Sequence, residues 1–169
     1  VEKELKKLKM EKAKFAINFA EMEKSEKGLY RITSKGIDDI EFLISPNPGE
    51  ELKPLAKIVS GGELSRVMLA LKSILAEADK IPVLIFDEID SGIGGMVAEV
   101  VGEKLKEVAK KRQVLCITHL PQIAGFADAH FKVSKRVIDK KTAVKVDELD
   151  KKRGKLIALC RPNTAGGPL

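Results

Sequence analysis

Hydrophobic spacing along the chain switches between two periods, and the switches mark the elements. Residues 1–14 are dominated by Lys, Glu, Leu and Met, with Leu5, Leu8 and Lys12 on one stripe, which suits the last turns of a helix. Two β-like segments follow, 15–21 and 37–44, separated by the polar stretch 24–36 and closed by Ser45-Pro46-Asn47-Pro48-Gly49, so a hairpin or meander is predicted. In the second segment Ile40, Phe42 and Ile44 alternate, which predicts one buried and one wet face. From Glu63 the period lengthens to about 3.6: Leu64, Val67, Met68, Leu71, Ile74, Leu75 and Ala78 lie on one stripe of a roughly four-turn helix. Ile81-Pro82-Val83-Leu84-Ile85-Phe86 is a continuous apolar run, as expected of a strand covered on both faces. A second amphipathic helix over 96–110 leads into another apolar strand, 114–118, and this order implies a right-handed parallel crossover. Residues 131–149 predict two more strands in a hairpin around Asp139-Lys140-Lys141. A short helix is expected after Gly154, and a disordered Pro- and Gly-rich tail over 161–169.

Composition changes this picture little. With 169 residues, 44% hydrophobic and 33% charged, the chain has material for one core and is neither a fibrous repeat nor a disordered tail. No apolar run approaches the roughly 18 residues that cross a bilayer, so no membrane partner and a cytoplasmic place of work are expected. Cys116 and Cys160 are too few for a disulfide framework or a zinc cluster. Charge says more. The formal net charge is +6, and between Lys132 and Lys155 ten basic residues stand against four acidic ones. A basic patch of this kind faces nucleic-acid phosphates, or is a solvated edge whose lysines discourage strand association.

Three short segments carry candidate chemistry. Ser60-Gly61-Gly62-Glu63 precedes the strong helix. Ser at the N-cap with Glu three residues on is a capping box, and the same glycine-rich helix start is suited to an anion such as phosphate. Asp87-Glu88 ends an apolar strand, where open α/β sheets place their ligands. One carboxylate can hold Mg²⁺ through its water shell while the next orients an attacking water. Asp90 adds a third acid, and Ser91-Gly92-Ile93-Gly94-Gly95 makes a flexible loop. His119 ends the strand reached by the crossover, so it should emerge on the same rim as Asp87, within reach of a terminal phosphate; His130 is read as an ordinary residue.

In this order the segments resemble the C-terminal half of ABC-type ATPase heads. Ile85-Phe86-Asp87-Glu88-Ile89-Asp90-Ser91-Gly92-Ile93, Cys116-Ile117-Thr118-His119-Leu120-Pro121-Gln122-Ile123-Ala124 and Leu52-Lys53-Pro54-Leu55-Ala56-Lys57-Ile58 are similar to the RecN family, SMC-like proteins of bacterial DNA double-strand-break repair. The likeness covers about residues 37–135. It implies an α/β fold, the C-terminal lobe of an ABC-type head: a mostly parallel sheet flanked by helices, with a coiled-coil remnant over 1–14, the lobe itself over 15–160, and a C-terminal β-hairpin. It implies ATP and Mg²⁺ as cofactors, Asp87 as the Walker B magnesium residue, Glu88 as the acid that activates water and His119 as the switch histidine. Ser60, Gly61, Gly62 and Glu63 become the signature loop, which contacts ATP held by a second head, and Ser91, Gly92, Ile93 and Gly94 the D-loop. Many such heads carry an Asp near Gly94 or Gly95, and this chain has glycine there. The ending from Cys160 to Leu169 matches nothing in the family.

No Gly-x-x-x-x-Gly-Lys-[Ser/Thr] occurs in the chain and no Q-loop can be placed. The family carries both in an N-terminal lobe joined through a long coiled coil. The expected partners are therefore that lobe, a second head and DNA, the last through phosphate contacts at Lys135, Arg136, Lys140 and Lys141. ATP hydrolysis belongs to the complete head, and this chain alone is expected to be inactive in a nucleoid-associated, cytoplasmic setting. A transporter ATPase is disfavoured, because Ile89-Asp90 replaces the Pro-Thr usual there after the Walker B Glu. A non-catalytic dimerisation module is the remaining alternative.

Overall fold

In a computed structural model of the chain, the residues described are 1–20, 26–30, 32, 34, 36–138, 141–150 and 156–160. The expected tail over 161–169 lies outside them. Helix α1 spans only Glu2–Lys7, less than half the length that the stripe predicts. It stops in a Schellman turn: Lys9 has φ 60°, its N–H donates to the Lys6 carbonyl, and the Met10 N–H donates to the Leu5 carbonyl, both at 3.0 Å. Leu5 and Leu8 are fully buried and Met10 and Ala13 join the core behind the turn, while Lys12 is exposed.

Strands β1 (Lys14–Ala20), β2 (Asp39–Ser45) and β3 (Lys53–Pro54) form an antiparallel sheet in that order. The predicted dry face is dry only at one end. Ile44 is fully buried, whereas Ile40 and Phe42 are 50% and 39% exposed. The core supports the sheet near Phe15, whose ring meets Phe42 at 5.5 Å, and does not reach the Phe19↔Ile40 pair.

A second sheet has the order β4-β5-β8-β6-β7. Its strands are β4 (Val83–Phe86), β5 (Gln113–Thr118), β6 (Ala129–Ile138), β7 (Lys141–Asp150) and β8 (Leu156–Cys160). The first four in spatial order run parallel and β7 closes the edge antiparallel to β6. Helices α2 (Gly61–Ile74), α3 (Gly95–Ala109) and α4 (Pro121–Ala124) complete the α/β fold, with α3 making the predicted crossover. The helix expected after Gly154 is instead strand β8. A five-residue run, Leu156-Ile157-Ala158-Leu159-Cys160, has no helical period, and a slot between two parallel strands accepts apolar residues on both faces.

The helices cover one side of this sheet. Val67, Leu69, Val101, Leu105 and Val114 are fully buried, as is Leu156 to within 1%. Gly102 permits the closest approach, since a Cβ there would stand 2.3 Å from the Phe126 ring. On edge strand β4, Leu84 and Phe86 face the helices, but Val83 and Ile85 on the other face are 40% and 66% exposed, so the expected second cover is absent among the described residues. Burial pushes the Cys116 thiol up to about 12, with Asp90 adding to the effect, and Cys116 stays an inert core residue.

In the β6–β7 hairpin, Lys135 shares a face with Val133, Val137, Val144 and Val146, whereas Lys132 and Lys145 lie on the other. Val137, Val144 and Val146 are exposed, and Lys145 pairs with Asp147 at 2.7 Å. Lys140 is outside the described residues, and Arg136 and Lys141 are described only by register, Arg136↔Ala143 and Ile138↔Lys141.

Two carboxylates tie the helices to their surroundings. Asp79 accepts from Lys72 at 2.5 Å and from the Ile81 N–H at 3.0 Å, and Arg112 approaches at 3.4 Å. Glu4 joins α1 to α3 through Lys104 at 2.9 Å and also meets Lys7 at 2.6 Å. The hydrogen bond from Lys72 holds Asp79 below the ordinary carboxylate range, and that from Lys104 does the same for Glu4. Both folded-state values are depressed, so their stabilisation is present above the unfolded carboxylate range and is lost as pH falls through the folded values. The melting temperature, followed by circular dichroism, is expected to fall between about pH 5 and pH 3. Asp79→Asn should lower it at neutral pH and flatten that fall; an unchanged slope would remove Asp79 as a contributor.

Candidate functional site

The candidate residues meet on one rim because α2 starts where β4 and β5 end. Ser60 is the N-cap of α2, extended at φ −81° and ψ 112°, and its Oγ accepts the Glu63 N–H at 3.4 Å. Only this half of the predicted capping box forms. The Glu63 carboxylate instead accepts from Asn47 Nδ2 at 3.3 Å, which ties the helix start to the Pro46-Asn47-Pro48 turn. Gly61 and Gly62 open the helix, so its first amides remain within the helix-start region suited to an anion.

At the end of β4 both acids are exposed. The Asp87 carboxylate accepts the Glu88 N–H at 2.9 Å, and its carbonyl accepts the Ser65 hydroxyl at 2.7 Å. Glu88 has φ 57°, a left-handed conformation uncommon outside glycine and one that concentrates at functional sites. The glycines of α2 make room for it. A Cβ on Gly61 would stand 2.3 Å from Glu88 Oε2, and one on Gly62 would meet Ser91 and the Glu88 carbonyl at 2.9 to 3.0 Å. From the same helix buried Arg66 donates through Nη1 to the carbonyls of Ile89 at 3.2 Å and Ser91 at 3.0 Å. Burial pushes its guanidinium below the ordinary value, with Glu63 opposing.

The third acid is buried. Asp90 is 5% exposed and its Oδ2 accepts from Thr118 Oγ1 at 2.6 Å and the His119 N–H at 2.8 Å, with the His119 ring nitrogen Nδ1 standing 2.9 Å away. The His119 ring is 41% exposed. Ser91, Gly92, Ile93 and Gly94 follow as an open loop, with Gly92 and Gly95 at φ 71° and 53°. His130 behaves as the ordinary residue expected, its Nε2 bonded to the Ala124 carbonyl at 2.8 Å.

A cavity of about 500 Å³ lies between residues 8–12, the Pro46-Asn47-Pro48 turn and Gly92-Ile93-Gly94, but Asp87, Glu88 and His119 stand outside it on open surface. Among the described residues no three metal-ligating side chains cluster. A single exposed carboxylate at Asp87 fits Mg²⁺ of the kind that keeps its waters and takes nucleotide phosphates as further ligands. Ser65, Arg66 and the bonding of Asp90 were not foreseen. Arg66 lies beside buried Val67 on a helix whose apolar stripe drew attention to other positions, and only the adjacency of three acids hinted at Asp90.

No family model matches the chain. Among curated proteins it is 43% identical over 149 residues to the DNA repair protein RecN of Halalkalibacterium halodurans, covering 88% of this chain and 26% of that protein. It is 52% identical to RecN of Rickettsia bellii, covering 87% and 26%, and 61% identical over 100 residues to RecN of Treponema pallidum, covering 59% and 18%. The chain thus spans about a quarter of the length of the first two. Among solved structures it is similar to the Smc head of Pyrococcus yayanosii with a coiled coil and joint, with TM-score 0.55, 23% identity and coverage of 85% of this chain and 25% of that one. An SmcHead bound to the C-winged helix domain of ScpA gives TM-score 0.52 at 24% identity, covering 89% and 41%. At those identities the likeness speaks for fold. No helix among the described residues is long and apolar enough to cross a membrane. By sequence the chain is a relative of the RecN DNA repair proteins over about a quarter of their length, and its α/β fold is similar to part of the SMC head structures.

Proposed function

We propose that the chain supplies the C-terminal lobe of an SMC-like ATPase head that serves DNA double-strand-break repair. The convergence of the α2 start, Asp87-Glu88 and His119 on one open rim carries this reading. Bound Mg²⁺-ATP supplies a terminal phosphoryl group for transfer to water, chemistry in which positioning and electrostatics dominate. Asp87 takes the metal, Glu88 orients the attacking water and accepts its proton, and His119 offers its outer ring nitrogen to the terminal phosphate. Ser60, Gly61, Gly62 and Glu63 contact nucleotide held by a second head, with Ser91, Gly92, Ile93 and Gly94 at the junction. The phosphate cradle comes from an N-terminal lobe, and helix α1, Glu2–Lys7, is the returning end of its coiled coil. Any DNA contact falls to the β6–β7 hairpin through phosphates, and its lysines are divided between two faces.

The test is a complete head that joins this lobe to a P-loop lobe. ATP is expected to drive association of two such heads, read by light scattering after size-exclusion chromatography, and phosphate release is expected from the complete head but not from this chain alone. Hydrolysis by the chain alone would overturn the reading. A complete head that neither associates with ATP nor hydrolyses it would leave a non-catalytic dimerisation module.

A further inference from the structure

We propose that Ser65 is a positioning residue for Glu88, its hydroxyl fixing the peptide unit that leads into that acid. The catalytic consequence rests on the role proposed above for Glu88. Helix α2 carries two serines, and they use their hydroxyls differently. Ser73 Oγ donates back to the Leu69 carbonyl at 2.9 Å, the local bond that a helical serine makes within its own turn. Ser65 Oγ reaches out of the helix instead and donates to the Asp87 carbonyl at 2.7 Å, 22 positions on. The N–H of that same peptide unit, contributed by Glu88, donates to Asp87 Oδ1 at 2.9 Å. The unit between Asp87 and Glu88 is therefore held at both ends. It leads into a residue at φ 57°, a conformation that persists in an acid only where the surroundings over-determine it. Beyond Glu88, its carbonyl accepts the Ser91 N–H at 2.9 Å, and Arg66 holds the Ile89 and Ser91 carbonyls. Consecutive residues of α2 thus grip the segment on either side of the acid, Ser65 before it and Arg66 after it. The Asp87 carboxylate is the group proposed to take Mg²⁺, so the Ser65 hydroxyl, which binds backbone, is the hold that stays in place when that carboxylate is engaged. The helix whose start is given to the second head's nucleotide thereby sets the acid that serves this head's own.

Two measurements test this. In the 169-residue chain, Ser65→Ala is expected to leave the urea midpoint nearly unmoved, because alanine favours the helix and water can replace the donor at the exposed Asp87. The Glu88 backbone should change nevertheless: its carbon-13 shifts and amide-to-α-proton coupling, which report φ, should move away from left-handed values. Glu88 signals identical to those of the unaltered chain overturn the proposal. In the complete head, Ser65→Ala is expected to lower kcat about 10- to 100-fold with little change in KM for ATP. Ser65→Thr, which keeps the hydroxyl, should recover most of that loss. In a Glu88→Gln background Ser65→Ala should cost nothing further, because it acts through that acid. Multiplicative losses, or a threonine variant that folds yet is as slow as the alanine one, would show a role other than positioning Glu88 and overturn the proposal; the cycle decides if the threonine variant does not fold. Unchanged turnover in Glu88→Gln sinks the role proposed for Glu88, while the Glu88 signals still decide whether Ser65 sets its backbone.

Discussion

Glu88→Gln in a complete head is expected to lower ATP turnover about 10²- to 10⁴-fold while ATP-driven association of two heads persists. Glutamine keeps the shape of the side chain and its place against Gly61, and removes only the ability to take a proton from water. The left-handed backbone at Glu88 and the turn from its carbonyl to the Ser91 N–H at 2.9 Å do not depend on the charge. Loss of association together with turnover would mean that the residue supports the fold of the rim rather than the chemistry. Gly61→Ala offers the geometric complement. Its Cβ would fall 2.3 Å from Glu88 Oε2, the far end of a flexible side chain, so the carboxylate can swing aside at small cost to folding. Turnover should fall with the urea midpoint nearly unmoved.

Arg66→Met is expected to destabilise the chain by about 2 to 4 kcal/mol. Methionine fills much of the volume but leaves the Ile89 and Ser91 carbonyls without the donor that the buried guanidinium gives them. Hydrogen bonds from a charged donor rank among the stronger ones, and unpaired buried acceptors carry their full desolvation cost. Urea unfolding should show a lower midpoint at unchanged slope. In a complete head the loop after Glu88 should lose its register, so turnover should fall as well. A change below about 0.5 kcal/mol, the range of an ordinary surface substitution, would show that the loop holds its shape without Arg66.

The rim was readable from sequence because its signals are local. A Ser-Gly-Gly helix start, two acids ending an apolar strand and a histidine ending the next are each contiguous, and parallel pairing brings the strand ends to one edge. Helices α2 and α3 announced themselves through a repeated period. What escaped depends on contacts distant in sequence. Arg66 reads as one more residue of an amphipathic helix until the carbonyls 23 and 25 positions away are known. Asp90 reads as an acid in a loop, although its oxygen serves Thr118 and His119, 28 and 29 positions on. Strand β8 has no period to betray it, and the uncovered faces at Phe42 and Ile85 concern where the core stops, which spacing along a strand does not encode.

Strand β8 also sets an order of events for the folding chain. Its partners β5 and β6 are not hydrogen-bonded to each other; they enclose a slot that Leu156–Cys160 enters from about forty residues beyond β5 and about thirty beyond β6. Until that strand is made, the β4–β5 pair and the β6–β7 hairpin are two unconnected halves, each with an edge open to other chains. Such non-local pairing slows folding, so on a ribosome the sheet must wait for almost the last described residues. A chain cut at residue 150 would keep every residue of the rim, yet it would lack the strand that joins the sheet carrying that rim to the basic hairpin.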